Sequence, residues 1–129
     1  MNDALNPARI LIVDDEELIV EEIIDSLNME GYDCVGVSDV DTALERLCED
    51  EDINLVITDL KMPGKSGVDL IREAAQLCRK MPDFIVVSGH VESSDEHLHQ
   101  ELKVAFAVLQ KPLAIGDLLS HVEHLLSKG

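Results

Sequence analysis

The sequence predicts an α/β fold, in which a doubly wound, five-stranded parallel sheet carries helices on both faces. Short apolar runs alternate with helical patterns five times along the chain, and this alternation is typical of parallel strands joined by crossover helices. Acidic side chains follow the first and third runs. They can converge only if those two strands are neighbours, as in the flavodoxin-like order 2-1-3-4-5. The length of 129 residues fits a single domain.

The strands and the first two helices follow from the apolar pattern. The five strand runs, in chain order, are residues 10–13, 34–37, 55–58, 84–87 and 106–109. The first helix begins after the acids that follow residue 13, and Gly31 is predicted to end it. Its inward positions, spaced i, i+3, i+4 and i+7, are Val20, Ile23, Ile24 and Leu27. The second helix is predicted over residues 40–49, and its inward residues are Ala43, Leu44 and Leu47.

Three more helices are predicted in the second half of the chain. One begins near residues 66–67 and runs to about residue 80, and its inward residues are Val68, Ile71, Ala75 and Cys78. Another, over residues 94–102, starts at a capping-box pattern but has a polar body, so we expect it to be loosely held. The last helix has the clearest apolar stripe, formed by Ile115, Leu118, Leu119, Val122, Leu125 and Leu126.

Composition excludes several classes of function. Lys and Arg number 10 against 27 Asp and Glu, a formal net charge of −17, which argues against a direct nucleic-acid surface. The aromatic residues, Tyr32, Phe84 and Phe106, are too few for a base-stacking platform. Most of the surface acids are expected to serve solubility alone.

Localisation is predicted from the cysteines and from the apolar runs. The three cysteines, Cys34, Cys48 and Cys78, show no CxxC spacing, which predicts reduced, mostly buried thiols in the cytoplasm. No apolar stretch approaches the roughly 20 residues of a membrane span, and no positively charged signal sequence opens the chain. We expect a flexible leader over residues 1–8 and one domain over residues 9–127, with no output domain encoded after the last helix.

Chemically active side chains follow four of the predicted strands. They are Asp14 and Asp15 after the first strand, Asp59 after the third, Ser88 after the fourth and Lys111 after the fifth. The C-terminal ends of strands are where open α/β sheets bind ligands. Carboxylates suit a hard cation such as Mg²⁺, which also relieves their mutual repulsion. A carboxylate that stays ionised can attack phosphorus, while an amine and a hydroxyl hold the phosphoryl oxygens.

Each of these residues also has a simpler explanation. The run Asp14-Asp15-Glu16-Glu17 could merely cap the first helix and complement its dipole. Asp59 could be a turn residue, Ser88 a loop hydroxyl, and Lys111 with the following proline a turn. Their occurrence together at successive strand ends favours a site for a divalent cation and a phosphoryl group.

With these motifs, the chain resembles the receiver domain of a two-component response regulator over roughly residues 9–127. The matching motifs are Asp14-Asp15, Asp59 with Met62-Pro63-Gly64 and Gly67, Ser88-Gly89, and Lys111-Pro112. The resemblance implies a signalling domain rather than an enzyme, acting in a phosphorelay. Its phosphodonor would be a histidine kinase or a histidine phosphotransfer protein.

The resemblance also implies a role for each site residue. Asp59 corresponds to the phosphoacceptor. The direct Mg²⁺ ligands of the family correspond to Asp15, Asp59 and the backbone carbonyl of Lys61. Asp14 corresponds to an acid that reaches the ion through water. Lys111 pairs with the phosphoryl oxygens, and Ser88 hydrogen-bonds the phosphoryl group. Phosphorylation would then shift the surface of the fourth helix, fifth strand and fifth helix, which contacts an output protein or a second copy of the chain.

The sequence departs from the family pattern at the aromatic residue that serves as a rotamer switch in receiver domains. The aromatic residue three positions before the lysine is replaced by Val108, and Phe106 lies two residues earlier on the same strand face, as a substitute or as core. Lys61 and His90 occupy positions that tune phosphoryl lifetime in this family. Lys61 could contact the phosphoryl group or point to solvent.

Other functional classes fit less well. A haloacid-dehalogenase-like phosphatase needs a second acid two residues after the nucleophile, where this chain has Lys61. A non-phosphorylated pseudo-receiver needs a damaged acid pair, Asp59 or Lys111, and all are intact. The Gly64-Lys65-Ser66 segment is not a P-loop, because Asp59 stands where the first glycine belongs. The histidines do not assemble a zinc ligand set.

Overall fold

The computed structural model describes residues 9–62, 64–78, 81–88, 107–110 and 114–127. The five strands are β1 (Arg9–Val13), β2 (Asp33–Val37), β3 (Ile53–Asp59), β4 (Asp83–Ser88) and β5 (Ala107–Gln110). The helices within the described residues are α1 (Glu17–Met29), α2 (Val40–Glu49), α3 (Gly67–Leu77) and α4 (Ile115–Ser127). The leader over residues 1–8 and the helix predicted over residues 94–102 lie outside the described residues.

All strand pairs are parallel, and the strand order is β2-β1-β3-β4-β5, which confirms the predicted fold. The register sets Val13 beside Thr58 across β1 and β3, and Asp59 beside Val87 across β3 and β4. The strand-end residues are therefore brought to one edge of the sheet. Because helices cover both faces, the central strands are buried throughout, from Ile10 to Val13 in β1 and from Phe84 to Val87 in β4.

The core has two halves, one on each face of the sheet. Alternate side chains of the central strands pack with α2 and α3 on one face and with α1 and α4 on the other. The predicted inward residues of α2 are buried, as are Ile23 and Leu27 of α1 and Leu118, Val122 and Leu125 of α4. The remaining predicted positions of α1 and α4 are half-buried against the same cluster.

The helix ends follow local chemistry. Gly31 has φ +92°, a left-handed conformation that glycine adopts without steric cost, and the Tyr32 N–H donates to the Leu27 carbonyl at 3.1 Å. This arrangement ends α1 where the sequence predicted it would end. Ser66 and Asp69 form a reciprocal capping box at the start of α3.

One helix face and one helix end were predicted wrongly. In α3 the predicted inward residue Ala75 is exposed, and the buried stripe runs through Gly67, Leu70, Ile71 and Ala74 instead. That rotation buries the large Leu70 side chain, which stabilises the helix more than burying an alanine does. The helix ends at Leu77 rather than near residue 80, because Cys78 has extended backbone angles.

Candidate functional site

Three carboxylates meet at the C-terminal edge of β1 and β3. Each of Asp14, Asp15 and Asp59 offers a carboxylate oxygen, and these oxygens lie within 4.8 Å of one another. Asp14 is 4% exposed and Asp59 7% exposed, whereas Asp15 is exposed to solvent. The cluster arises because neighbouring parallel strands end side by side, with Val13 and Thr58 as the last pair in register.

Asp14 is held by the backbone around it. Its N–H donates to the Val37 carbonyl of β2 at 3.2 Å, and its Oδ1 accepts a hydrogen bond from the Glu16 N–H at 2.9 Å. Glu16 is the N-cap of α1 but makes no capping hydrogen bond through its side chain. Asp14 therefore helps to turn the chain toward α1 and also lies in the carboxylate cluster, but this bond does not cap the helix, because it goes to the N–H of the N-cap residue itself.

Asp59 lies on a backbone segment that is fixed from several sides. The Thr58 hydroxyl donates to the Asp59 carbonyl at 2.9 Å, and the next N–H, of Leu60, donates to the Val87 carbonyl at 3.0 Å. The Gly67 N–H, at the first turn of α3, donates to the Leu60 carbonyl at 2.8 Å. These bonds fix the position from which the Asp59 carboxylate reaches the cluster.

A cavity of about 330 Å³ adjoins the buried acids on the α1 side of the sheet. Its polar lining is formed by Asp14, Thr58 and Asp59, and Glu22 of α1 adds a further carboxylate. The rest of its lining is apolar. A second cavity, of about 360 Å³, lies between the C-terminal ends of α2 and α3 and has none of the acidic cluster in its lining.

The remaining predicted site residues are placed only in part. Lys61 is exposed in the segment after β3. Ser88 is the last residue of β4 and pairs with Gln110 of β5, but its side chain is outside the described part of the molecule. Lys111, His90 and Phe106 also lie outside the described residues. Val108, on β5, is 38% exposed.

The donor set fits a hard divalent cation. Three carboxylates at one edge concentrate negative charge and offer oxygen, the ligand atom that Mg²⁺ takes, and this ion keeps several waters and needs few protein ligands. Asp15, the exposed member, lies on the solvent side, where such an ion would exchange its water shell. The described residues thus place three carboxylates together at one edge of the sheet, and one of them, Asp59, is buried at a strand end.

Three contacts were not anticipated from the sequence. Thr58 bonds the Asp59 carbonyl, Gly67 packs against the Asp59 backbone, and Lys65 forms ion pairs with Asp41 and Glu73. Gly67 was recognised as part of the motif, but its contact could not be derived from spacing. Thr58 gave a weak signal as the one polar residue in an otherwise apolar strand run.

The prediction of mostly buried cysteines was wrong. Cys48 is exposed, and Cys34 and Cys78 are half-buried. All three thiols are free, as predicted. Cys48 lies one residue before the end of α2, outside the buried stripe, which accounts for its exposure.

Comparison with known proteins places the chain among signalling proteins. The family model for the response regulator receiver domain matches residues 10–123. The transcriptional regulatory protein PdtaR of Mycobacterium tuberculosis is 33% identical over 98% of this chain, which spans 60% of PdtaR. The two-component response regulator PprB of Pseudomonas aeruginosa is 30% identical over 92% of this chain, which spans 44% of PprB. The chain thus spans about half the length of these relatives.

Solved structures agree with the sequence relatives. A response regulator receiver protein from Pseudomonas putida superposes with a TM-score of 0.83 at 34% identity, covering 92% of this chain and 97% of that one. A CheY-like receiver domain protein from Methanospirillum hungatei has a TM-score of 0.83 at 30% identity, with 95% of both chains covered. Among the described residues, no helix combines the length and apolarity needed to cross a membrane.

Proposed function

Because this chain belongs to the response regulator receiver domain family, we propose that it accepts a phosphoryl group on Asp59 from a phosphohistidine donor. Response regulators are signalling proteins of two-component systems, and the proposed chemistry is limited to phosphorylation and dephosphorylation of the domain itself. The observation that supports Asp59 most strongly is that this residue is only 7% exposed at the end of β3 and offers a carboxylate oxygen within 4.8 Å of carboxylate oxygens of Asp14 and Asp15.

The acidic cluster supplies both the cation ligands and the nucleophile of the proposed phosphoryl transfer. Receiver domains use Mg²⁺ at their acidic pocket, and Asp14, Asp15, Asp59 and the Lys61 backbone carbonyl are the proposed ligands here. The ion neutralises charge on the phosphoryl oxygens when bound. The Asp59 carboxylate is the nucleophile: one of its oxygens forms the bond to phosphorus while the bond between phosphorus and the donor imidazole nitrogen breaks, and the imidazole leaves with that electron pair.

Two further residues complete the proposed site. Lys111 pairs with the phosphoryl oxygens through its ammonium group, and Ser88 donates its hydroxyl to one of them. Support for both is their place in the sequence, since Ser88 ends β4 and Lys111 follows β5, together with the parallel order β3-β4-β5, in which these strands end at the same edge of the sheet as Asp59. An amine and a hydroxyl at these places would position the phosphoryl group rather than react with it.

The proposed output is a shift of one surface, made of the segment predicted as a helix over residues 94–102 together with β5 and α4. The phosphoryl group can shift the equilibrium between two conformations only by binding one of them better. Ser88 connects the site to that segment in the sequence. This surface is the proposed contact for an output protein or domain and for a homodimer.

Partners follow from the family. Response regulators work with histidine kinases and output domains, so the proposed donor is a histidine kinase or a histidine phosphotransfer protein. We propose a cytoplasmic location, no membrane insertion and no direct nucleic-acid contact, the last because the net charge of −17 repels phosphates. The proposed domain covers residues 9–127, with residues 1–8 as a flexible leader.

Phosphotransfer from a protein donor tests the proposal. A histidine phosphotransfer protein carrying a radiolabelled phosphohistidine should lose its label to the wild-type chain when Mg²⁺ is present and retain it when EDTA is added. Asp59→Asn should take no label under either condition. Transfer that proceeds equally well in EDTA, or to the Asp59→Asn variant, would contradict the proposed site.

A further inference from the structure

In the described part of the segment between β3 and α3, the backbone hydrogen bonds lie at the two ends. At one end the buried Leu60 bonds to Val87, and at the other Ser66 is held by Asp69 and the Gly67 N–H returns to Leu60. Between them Lys61, Gly64 and Lys65 are exposed, and in the described part of this segment residues 61, 62, 64 and 65 make no backbone hydrogen bond. For these four described residues, side-chain contacts are the remaining means of fixing their position against other described parts of the fold.

Lys65 supplies such contacts. Its Nζ lies 3.0 Å from Asp41 Oδ1, in the first turn of α2, and 3.0 Å from Glu73 Oε1 on α3. One ammonium group thus joins the β3–α3 segment to two helices at once. The two carboxylates, Asp41 first and then Glu73, raise the pKa of Lys65 above its usual value, so the group stays charged across the neutral range.

We infer that Lys65 is a positioning residue for the cation site, because it holds the segment that carries the Lys61 carbonyl. This inference rests on the proposed function, in which that carbonyl is a ligand beside Asp14, Asp15 and Asp59. With Lys65 paired to both helices, fewer conformations of residues 61–65 compete with the one that binds the ion. Ordering the segment in advance lowers the entropy that cation binding must overcome.

Electrostatic repulsion between Lys65 and a bound cation predicts the opposite change in Mg²⁺ affinity when Lys65 is replaced. The direction of that change therefore tests the inference. Lys65 carries a positive charge six residues after Asp59, so by charge alone its removal would strengthen Mg²⁺ binding. A positioning role requires that removal weakens Mg²⁺ binding. The sign of the change therefore separates the two effects.

The experiment compares Mg²⁺ affinity by isothermal titration in the full chain for wild type, Lys65→Met, Lys65→Arg and Arg46→Met. Lys65→Met keeps a long unbranched side chain but removes its charge. Arg46→Met is the charge-matched control, because Arg46 is exposed in the last turn of α2 and lies outside the acidic cluster. Thermal melting without Mg²⁺ shows whether any variant has simply lost stability.

We expect Lys65→Met to weaken Mg²⁺ binding about two- to fivefold, the range that exposed ion pairs supply. Lys65→Arg should retain wild-type affinity for Mg²⁺, because a guanidinium can pair with both carboxylates. Arg46→Met should not weaken Mg²⁺ binding. Equal or tighter binding by Lys65→Met, while wild type binds Mg²⁺, would overturn the inference and leave the proposed function intact. Failure of the wild type to bind Mg²⁺ would overturn both.

Weaker binding caused by general unfolding is distinguished by a second measurement. Amide hydrogen exchange of Ser66 and Gly67, whose N–H groups are hydrogen-bonded, should increase in Lys65→Met, while exchange in β1 and β3 stays as in wild type. The positioning role is contradicted if amide exchange rises throughout the sheet in Lys65→Met, or if Lys65→Arg binds Mg²⁺ more weakly than wild type.

Discussion

Gly67 lies directly against the backbone of Asp59. A Cβ atom at position 67 would approach the Asp59 carbonyl oxygen to 2.5 Å and the Leu60 Cα to 3.2 Å. The first turn of α3 can therefore close onto the end of β3 only if residue 67 has no side chain. This contact, together with the Gly67 N–H bond to Leu60, ties the start of α3 to the position of the proposed phosphoacceptor.

Gly67→Ala should destabilise the fold by about 1–3 kcal/mol, because the atom that blocks the new methyl group belongs to the backbone and cannot rotate away. Chemical denaturation measures this change. Gly116→Ala is the matched control: Gly116 is also a first-turn helical glycine, but a Cβ there meets nothing within 4 Å. That control should be neutral or more stable by up to ~1 kcal/mol. Equal effects of the two substitutions would contradict the role given to the close contact.

Mg²⁺ should stabilise the wild-type fold without any phosphodonor, because it relieves repulsion among the three carboxylates. At about 100 times its dissociation constant, the ion adds roughly 2.7 kcal/mol to the free energy of unfolding. Thermal melting in millimolar Mg²⁺ should show this increase for wild type and for Asp25→Ala, a control at an exposed acid of α1. Asp15→Ala should respond much less. Identical responses of wild type and Asp15→Ala would show that the cation binds elsewhere.

The three cysteines should differ in their reactivity toward iodoacetamide. Burial, with a smaller contribution from Asp33, raises the pKa of Cys34 to about 11, and burial raises the pKa of Cys78. Since the thiolate is the reactive form, a rise of two pKa units lowers its population at neutral pH about 100-fold.

Peptide mass spectrometry at pH 8 should therefore find the exposed Cys48 alkylated first and Cys34 last, with the Cys34 rate still increasing as the pH rises toward 11. Unfolding in urea should make the three rates similar. Alkylation of Cys34 in the folded chain at the rate of Cys48 would contradict the burial assigned to β2.

Phosphorylation should act on the segment that follows Ser88 rather than on the whole sheet. Val108 has no aromatic ring to swing between exposed and buried positions, so the coupling is expected to run through Ser88 and its following residues. Amide hydrogen exchange with and without beryllofluoride should change protection in residues 88–102. Ser88→Ala should abolish that change, and Val108→Ala should alter it little. Changes confined to the surroundings of Asp59 would contradict this route.

The sequence was most informative where its signals were local. Apolar runs located the strands, and capping and glycine signals located the starts and ends of helices, so that α2 begins and ends where it was predicted. The strand order followed from one non-local requirement, that the acids after β1 and β3 converge. In α3 the pattern allowed two overlapping stripes that share Ile71, and only packing against the sheet selects the one that contains Leu70.

The site was less completely predictable than the fold. Residue types and their places at strand ends identified Asp14, Asp15 and Asp59, which the structure brings together. Contacts that depend on the packing of one element against another were not predictable, such as Gly67 on the Asp59 backbone and Lys65 between two helices. Both depend on distances across the fold that no spacing in the sequence encodes.

The most direct test of the central claim is the intact mass of the chain after incubation with Mg²⁺ and acetyl phosphate. If Asp59 is the phosphoacceptor, wild type should gain the mass of one phosphoryl group, lose it on hydroxylamine treatment, and gain none when EDTA is present. Asp59→Asn should gain none, although Asp25→Asn, an exposed acid elsewhere, should react like wild type. Full modification of Asp59→Asn would contradict the account, because the phosphoryl group would then be carried by another residue.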